Sequence, residues 1–114
     1  MIEITSLTDL QKIVLDKDLR NQIIILKFGS NDCTSCTILT PELEKLEYAF
    51  GNRVLVVEID VNKAFEIAKA FQIEGIPTGI FYYKNRMFKE LTLVGGTIGQ
   101  YYQNVNVLLS QYNV

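Results

Sequence analysis

The segment Ile23-Ile24-Ile25-Leu26-Lys27-Phe28-Gly29-Ser30-Asn31-Asp32-Cys33-Thr34-Ser35-Cys36 decides the fold. Ile23 to Phe28 is rich in β-branched residues and nearly all apolar, the pattern of a central strand buried on both faces. The end of the segment carries both cysteines of the chain as one C-x-x-C. From Ser35 to Phe50 the pattern becomes helical. Leu39, Leu43, Leu46 and Phe50 form an apolar stripe, and Glu42, Glu44, Lys45 and Glu47 mostly face water. Gly51-Asn52 stops the helix. The cysteines therefore sit at a strand-to-helix junction, where first-turn amides point outward unpaired.

Working outward, the same alternation repeats. Glu3 to Thr5 is a short edge strand. Thr8 to Leu15 places Leu10, Ile13 and Val14 at helical spacing, with Thr8 as N-cap. Val54 to Ile59 is a second buried strand, ending at Asp60. Ala64 to Phe71 is a short helix with Phe65, Ala68 and Phe71 on its apolar face. Thr78 to Tyr83 and Phe88 to Val94 are strands joined by Lys84-Asn85-Arg86-Met87, a hairpin length that makes them antiparallel. Gly95-Gly96 breaks the second of these. Gly99 to Tyr112 is a final helix with Tyr101, Tyr102, Val105, Leu108 and Leu109 inward, so core packing explains most of the tyrosine cluster Tyr101, Tyr102 and Tyr112. The expected order is β-α-β-α-β-α-β-β-α, an α/β fold. The βαβ unit requires parallel strands and a right-handed crossover. The hairpin makes the sheet mixed, and strands without a polar face require helices on both sides.

Composition narrows the function. The chain has 114 residues, about one domain (residues 1–114), with 48% apolar and 21% charged residues, too apolar for a disordered chain. Only 7 Gly and 2 Pro exclude a collagen-like sequence. The net charge is −2, with no basic stripe, so no nucleic-acid partner is expected. Apolar runs such as Ile23 to Leu26 and Val54 to Val57 are far too short to span a membrane. MIEITSLTDLQK lacks the basic start and apolar stretch of a secretory signal, which favours the cytoplasm. With 2 Cys and no His, Ser-His and Cys-His catalytic pairs and His-ligated metal sites are excluded.

Periodicity separates the two sulfurs. Cys36 continues the buried stripe through 39, 43, 46 and 50, whereas Cys33 lies one turn earlier, at or before the helix start. Cys33 is thus expected to be accessible and Cys36 shielded. The helix dipole and local amides favour a thiolate at Cys33, which can attack a disulfide. Cys36 is then placed to displace the product and close the intramolecular bond. Two other readings of the pair stand beside this one. A purely structural bridge gains little from closing so small a loop. A tetrahedral metal site, or a bridging iron–sulfur cluster, would need ligands from two chains. No metal or organic cofactor is expected.

From about Ile23 to Leu109 the chain resembles the thioredoxin family. Besides C-x-x-C, Pro41 stands five residues after Cys36, as the family's helix-kinking proline does. Gly75-Ile76-Pro77-Thr78 looks like its cis-proline loop, and Val94-Gly95 like the glycine turn beside its substrate groove. The resemblance implies the thioredoxin fold, with a cis Ile76-Pro77 bond packed opposite the cysteines. It also implies that the Ile76 backbone pairs with an extended substrate segment by strand addition, with Gly95 and Gly96 leaving room for that segment. A glutaredoxin is disfavoured, because no glutathione-binding constellation is present.

The departures are equally specific. Thioredoxin has Trp where Asp32 stands, Gly-Pro where Thr34-Ser35 stand, a buried acid where Lys27 stands, and that acid's lysine partner where Val56 stands. Asp32 disfavours a Cys33 thiolate if close and poorly solvated. Lys27 either snorkels to water or, neutral and desolvated, accepts the Cys36 proton, with Glu58 on the same face as its partner. The expected activity is thiol–disulfide exchange. Cys33, Cys36 and Lys27 are the catalytic candidates, and Asp32, Thr34, Ser35, Ile76, Pro77, Gly95 and Gly96 the substrate face. Expected partners are disulfide-containing proteins and an electron-donating reductase or dithiol pool. The alternative is a redox-poor interaction module on the same fold.

Overall fold

The computed structural model describes residues 1–19 and 21–112, the side chain of Tyr112 excepted. Alternation along the central strand organises everything else. Strand β2 (Ile23–Gly29) is buried along its whole length. Ile23 and Ile25 point into one core with Leu39, Leu43, Leu46, Tyr101, Val105 and Leu108. Ile24, Leu26 and Phe28 point into a second core with Leu10, Ile59, Ala64 and Ile67. The period of two assigns successive side chains to opposite faces. Helices α2 (Thr34–Phe50) and α4 (Ile98–Tyr112) therefore cover one face. Helices α1 (Leu7–Val14) and α3 (Phe65–Ala70) cover the other.

The remaining strands are β1 (Ile2–Glu3), β3 (Val54–Asp60), β4 (Thr78–Tyr83), β5 (Arg86–Met87) and β6 (Leu93–Val94). The sheet runs β1-β3-β2-β4-β5, with β6 also paired to β4. Strand β3 is parallel to β1 and β2, and β4 antiparallel to β2, so the sheet is mixed as expected. The register aligns Lys27 with Glu58 on one side and Gly79 on the other. All three lie on the α2 and α4 face.

Several local expectations change. The first strand is Ile2–Glu3, not Glu3 to Thr5. Ser6, not Thr8, caps α1, its hydroxyl accepting the Asp9 amide at 3.1 Å. In α3 the buried residue is Ile67, joined by the N-cap Ala64, while Phe65 is 67% exposed. Phe71 turns inward as expected, against Phe28, ring centroids 5.6 Å apart. The hairpin turn is two residues long, because Lys84 and Asn85 both take positive φ (53° and 63°), as a type I′ turn requires. The expected strand Phe88 to Val94 is displaced and split: pairing with β4 begins earlier, at Arg86–Met87, and resumes only at Leu93–Val94. A 3-10 turn at Lys89–Leu91 interrupts it, and the Asn104 amide donates to the Leu91 carbonyl at 2.7 Å, satisfying the break. Three strands therefore precede the last helix instead of two.

Glu47 does not simply face water. Its Oε2 accepts the Val56 amide at 2.6 Å, where β3 extends past its short neighbour β1, and its Oε1 pairs with the Met1 amino group. Tyr101 is fully buried and Tyr102 partly so; the Tyr112 side chain lies outside the described residues.

Candidate active site

Strand β2 ends at Gly29, and the chain turns through Ser30 to Asp32 before α2 begins. Cys33 is the N-cap of that helix, with extended backbone (φ −96°, ψ 107°). Its Sγ accepts the Cys36 amide at 3.2 Å, and Ser35 Oγ lies 3.5 Å away. A sulfur in the N-cap position occupies the place of an oxygen acceptor, so the helix end stabilises negative charge on it. Cys33 is partly exposed; Cys36 is only 1% exposed. The two are joined in a disulfide, Cα atoms 5.2 Å apart. Helical periodicity separates the sulfurs in the same sense. Asp32, Thr34 and Ser35 stand exposed around Cys33.

Gly29 permits the close approach of helix to strand. A Cβ there would lie 3.1 Å from Cys36 Cβ, 3.2 Å from Cys36 Sγ and 3.3 Å from Lys27 Nζ. The lysine and the inner sulfur thus border the same gap.

Lys27 does not snorkel: it is 1% exposed. Its amine donates to Glu58 Oε1 at 2.8 Å, Thr40 Oγ1 at 2.7 Å and the Cys36 carbonyl at 3.2 Å. The Thr40 hydroxyl in turn donates to the Cys36 carbonyl at 3.1 Å. Glu58 is the partner expected from its place on the same face. Thr40 was not foreseen; its only signal is its place one turn after Cys36. A polar cleft of about 50 Å³ adjoins the cluster, lined by residues including Gly29, Thr37, Thr40, Glu58 and Asp60.

Ile76-Pro77 is a cis peptide, as the resemblance implied. The last pair between β2 and β4 is Phe28 with Thr78, so one further step brings Pro77 beside Gly29, whose missing side chain leaves the space that Cys36 borders. The Pro77 carbonyl accepts the Gly95 amide at 2.7 Å, and the Thr78 hydroxyl donates to Gly75 O. The two glycines differ. Gly95 has φ +66° and nothing within 4 Å of a Cβ position, so it lies open. Gly96 faces inward, where a Cβ would meet Leu93 Cβ at 3.0 Å. Ile76 also borders a groove of about 810 Å³ whose wall includes Val61, Ile73 and the exposed Phe65. The helical pattern places Phe65 in the core, whereas in the structure Ile67 holds that place.

Among the described residues, no cluster of three or more metal-ligating side chains occurs. Among them too, no helix is long and apolar enough to cross a membrane.

A mixed six-stranded sheet carrying a partly exposed cysteine at a helix N-cap before a buried one, beside a cis-proline, defines a dithiol site on an α/β scaffold. The sequence model of the family described as Thioredoxin matches residues 2–101, and the chain belongs to the thioredoxin family. It is 39% identical over 70 residues to "Thioredoxin 2" of Plasmodium berghei (strain Anka), covering 61% of this chain and 44% of that protein. It is 30% identical over 81 residues to "Thioredoxin-like protein CITRX, chloroplastic" of Solanum tuberosum, covering 71% and 45% respectively. The chain thus spans less than half the length of these two relatives. The oxidised form of mitochondrial thioredoxin 3 from Saccharomyces cerevisiae shares the fold, with a TM-score of 0.81, 21% identity and 93% of each chain covered.

Proposed function

We propose that this chain, acting as one domain over residues 1–114, reduces protein disulfides through the Cys33–Cys36 couple. The observation that carries the reading is the unequal setting of the two sulfurs, Cys33 open and held by a helix amide, Cys36 sealed behind it. In the first step the Cys33 thiolate attacks a substrate disulfide. One substrate sulfur leaves as a thiolate and takes a proton from solvent. In the second, Cys36 loses its proton and attacks Cys33 Sγ, and the second substrate sulfur leaves with the bonding electron pair. The protein dithiol is oxidised by two electrons, and the substrate gains them.

The substrate segment would lie as an added strand on the Ile76 backbone, with Pro77 at its floor and Asp32, Thr34, Ser35, Gly95 and Gly96 around it. Lys27 serves the inner sulfur from behind, so Lys27→Met slows release of substrate from the mixed disulfide. The proposed compartment is the cytoplasm, where dithiols are kept reduced. An electron-donating reductase or dithiol pool regenerates the pair, with no organic cofactor.

Insulin reduction by dithiothreitol, followed as turbidity, tests the reading. The expected result is acceleration that disappears in Cys33→Ser. Absence of acceleration, with stoichiometric capture of a partner by the Cys33→Ser/Cys36→Ser variant, would instead support an interaction module.

A further inference from the structure

The surroundings of Cys33 are lopsided in charge. Asp32 directly precedes it and is exposed, and its carboxylate has no hydrogen-bond or ion-pair partner among the described residues. Ser30 and Asn31, which lead to it, border a cleft that Glu3, Glu58 and Asp60 also line. Lys27, the cation behind the dithiol, is tied to Glu58 at 2.8 Å and is 1% exposed, so that pair presents no net charge outward. Asp60 stands level with Gly29, the last residue of β2, and is held there by the Asn62 amide on its Oδ1. Two exposed lysines lie further along the chain. Lys63 follows Asp60 by three residues, and Lys69 borders the groove at Ile76, where Glu74 offsets it. Carboxylates therefore outnumber ammoniums around the attacking sulfur, and the one beside it in the chain is unengaged.

We propose that Asp32 is a specificity-determining residue, and that the preferred substrate is a protein disulfide with lysine or arginine beside the half-cystine that Cys33 attacks. This rests on the oxidoreductase reading above and names the substrate class for the same site. The Cα atoms of Asp32 and Cys33 are one peptide unit apart, about 3.8 Å. A substrate sulfur brought onto Cys33 Sγ thus carries its own chain neighbours to the Asp32 carboxylate. The bound segment covers this loop and excludes water. The carboxylate then acts more strongly on a substrate charge laid against it than on the Cys33 thiolate in the open. A cation beside the half-cystine is drawn in. An anionic disulfide, such as glutathione disulfide, meets the same field as a repulsion. Glu3 and Asp60 add to the field with the same sign and steer the approach. Where the family carries a neutral tryptophan, this chain has placed a charge that reads its substrate.

The bond changes are those of the first step. The Cys33 thiolate bonds to the sulfur that has the basic neighbour. The other substrate sulfur leaves with the electron pair and takes a proton from solvent. Asp32 exchanges no proton or electron in this step; it selects the segment and holds it in place.

The test uses the reduced protein and three short peptides, identical except for lysine, alanine or glutamate before a cysteine held as its 2-pyridyl disulfide. Attack by Cys33 on the peptide sulfur expels pyridine-2-thione, read by absorbance in stopped flow. Each rate is divided by that of 2-mercaptoethanol with the same peptide, which removes intrinsic reactivity and the pull of a thiolate by itself. At low ionic strength the lysine peptide should react at least about fivefold faster than the glutamate peptide, with alanine between them. The ratio should shrink as salt is added. Asp32→Asn should bring it below about twofold, and Asp32→Lys should reverse it. A merely structural role at this exposed position would not reverse a preference. A parent ratio within about twofold of one, or a ratio equal in the parent and Asp32→Asn, overturns the proposal. Thione release no faster than in Cys33→Ser with all three peptides would instead sink the oxidoreductase reading.

Discussion

Asp32 precedes the attacking sulfur in the chain, and its charge would oppose a thiolate in a dry site. Its side chain stands in water, where two charges a few ångströms apart interact weakly and salt screens them further. Asp32→Asn is therefore expected to change the alkylation rate of reduced Cys33 by iodoacetamide by less than about threefold. A larger acceleration would mean that the carboxylate folds back onto the sulfur. Lys27 shows how far single residues were readable beforehand. A lone charge in the run Ile23 to Phe28 marks the position as unusual, and period-two alternation puts Glu58 on its face. Whether the amine reaches water depends on what lies above it. Thr40, which closes that path, follows Lys27 by 13 residues. No local pattern encodes that contact.

Between elements, Gly79 under Tyr101 is a close fit on the site's side of the sheet. A Cβ at Gly79 would collide with the Tyr101 ring and hydroxyl, so α4 rests on bare backbone next to Lys27 in the register. Gly79→Ala should destabilise the fold by about 1–3 kcal/mol through overpacking. Tyr101→Leu in the same chain should restore part of the loss, a coupling that a double-mutant cycle in urea would detect. Additive losses would mean that the two residues do not share that space. Long elements with strong periodicity were legible: β2, β3, β4, α2 and α4 fall within a residue of their expected bounds. The short ones were not. A helix of six residues such as α3 offers two competing apolar faces, Phe65 with Ala68 or Ala64 with Ile67, and packing under β3 chose the second. The split of the expected strand Phe88 to Val94 depends on Asn104 reaching back from α4, again a contact distant in sequence.

Across the whole molecule, the face that carries the dithiol also holds buried phenols. Burial holds the Tyr101 hydroxyl well above the ordinary tyrosine value of 10.0; Tyr83 on this face, and Tyr82 on the opposite one, are raised by the same cause. A tyrosine that binds its proton more tightly when folded contributes its full stability below the unfolded value. That contribution disappears as pH climbs from there toward the folded value, because the unfolded chain ionises first. Stability should consequently be level from neutrality to about pH 9 and decline above about pH 10, by at most ~1.4 kcal/mol per pH unit for each such group. Tyr101 should carry much of this decline, since its hydroxyl is buried without a hydrogen-bond partner among the described residues. Tyr101→Phe removes only that oxygen. At pH 8 the variant should match or exceed the parent, by up to about 1 kcal/mol, because an unpaired polar atom leaves the core. Its alkaline decline should be shallower, with Tyr82 and Tyr83 accounting for what remains. Urea denaturation at pH 8 and at pH 11 measures both effects. An alkaline decline as steep in the variant as in the parent would place the sensitivity elsewhere. A shallower one would locate it in the layer where α4 lies over Gly79, beside the strand that carries Lys27.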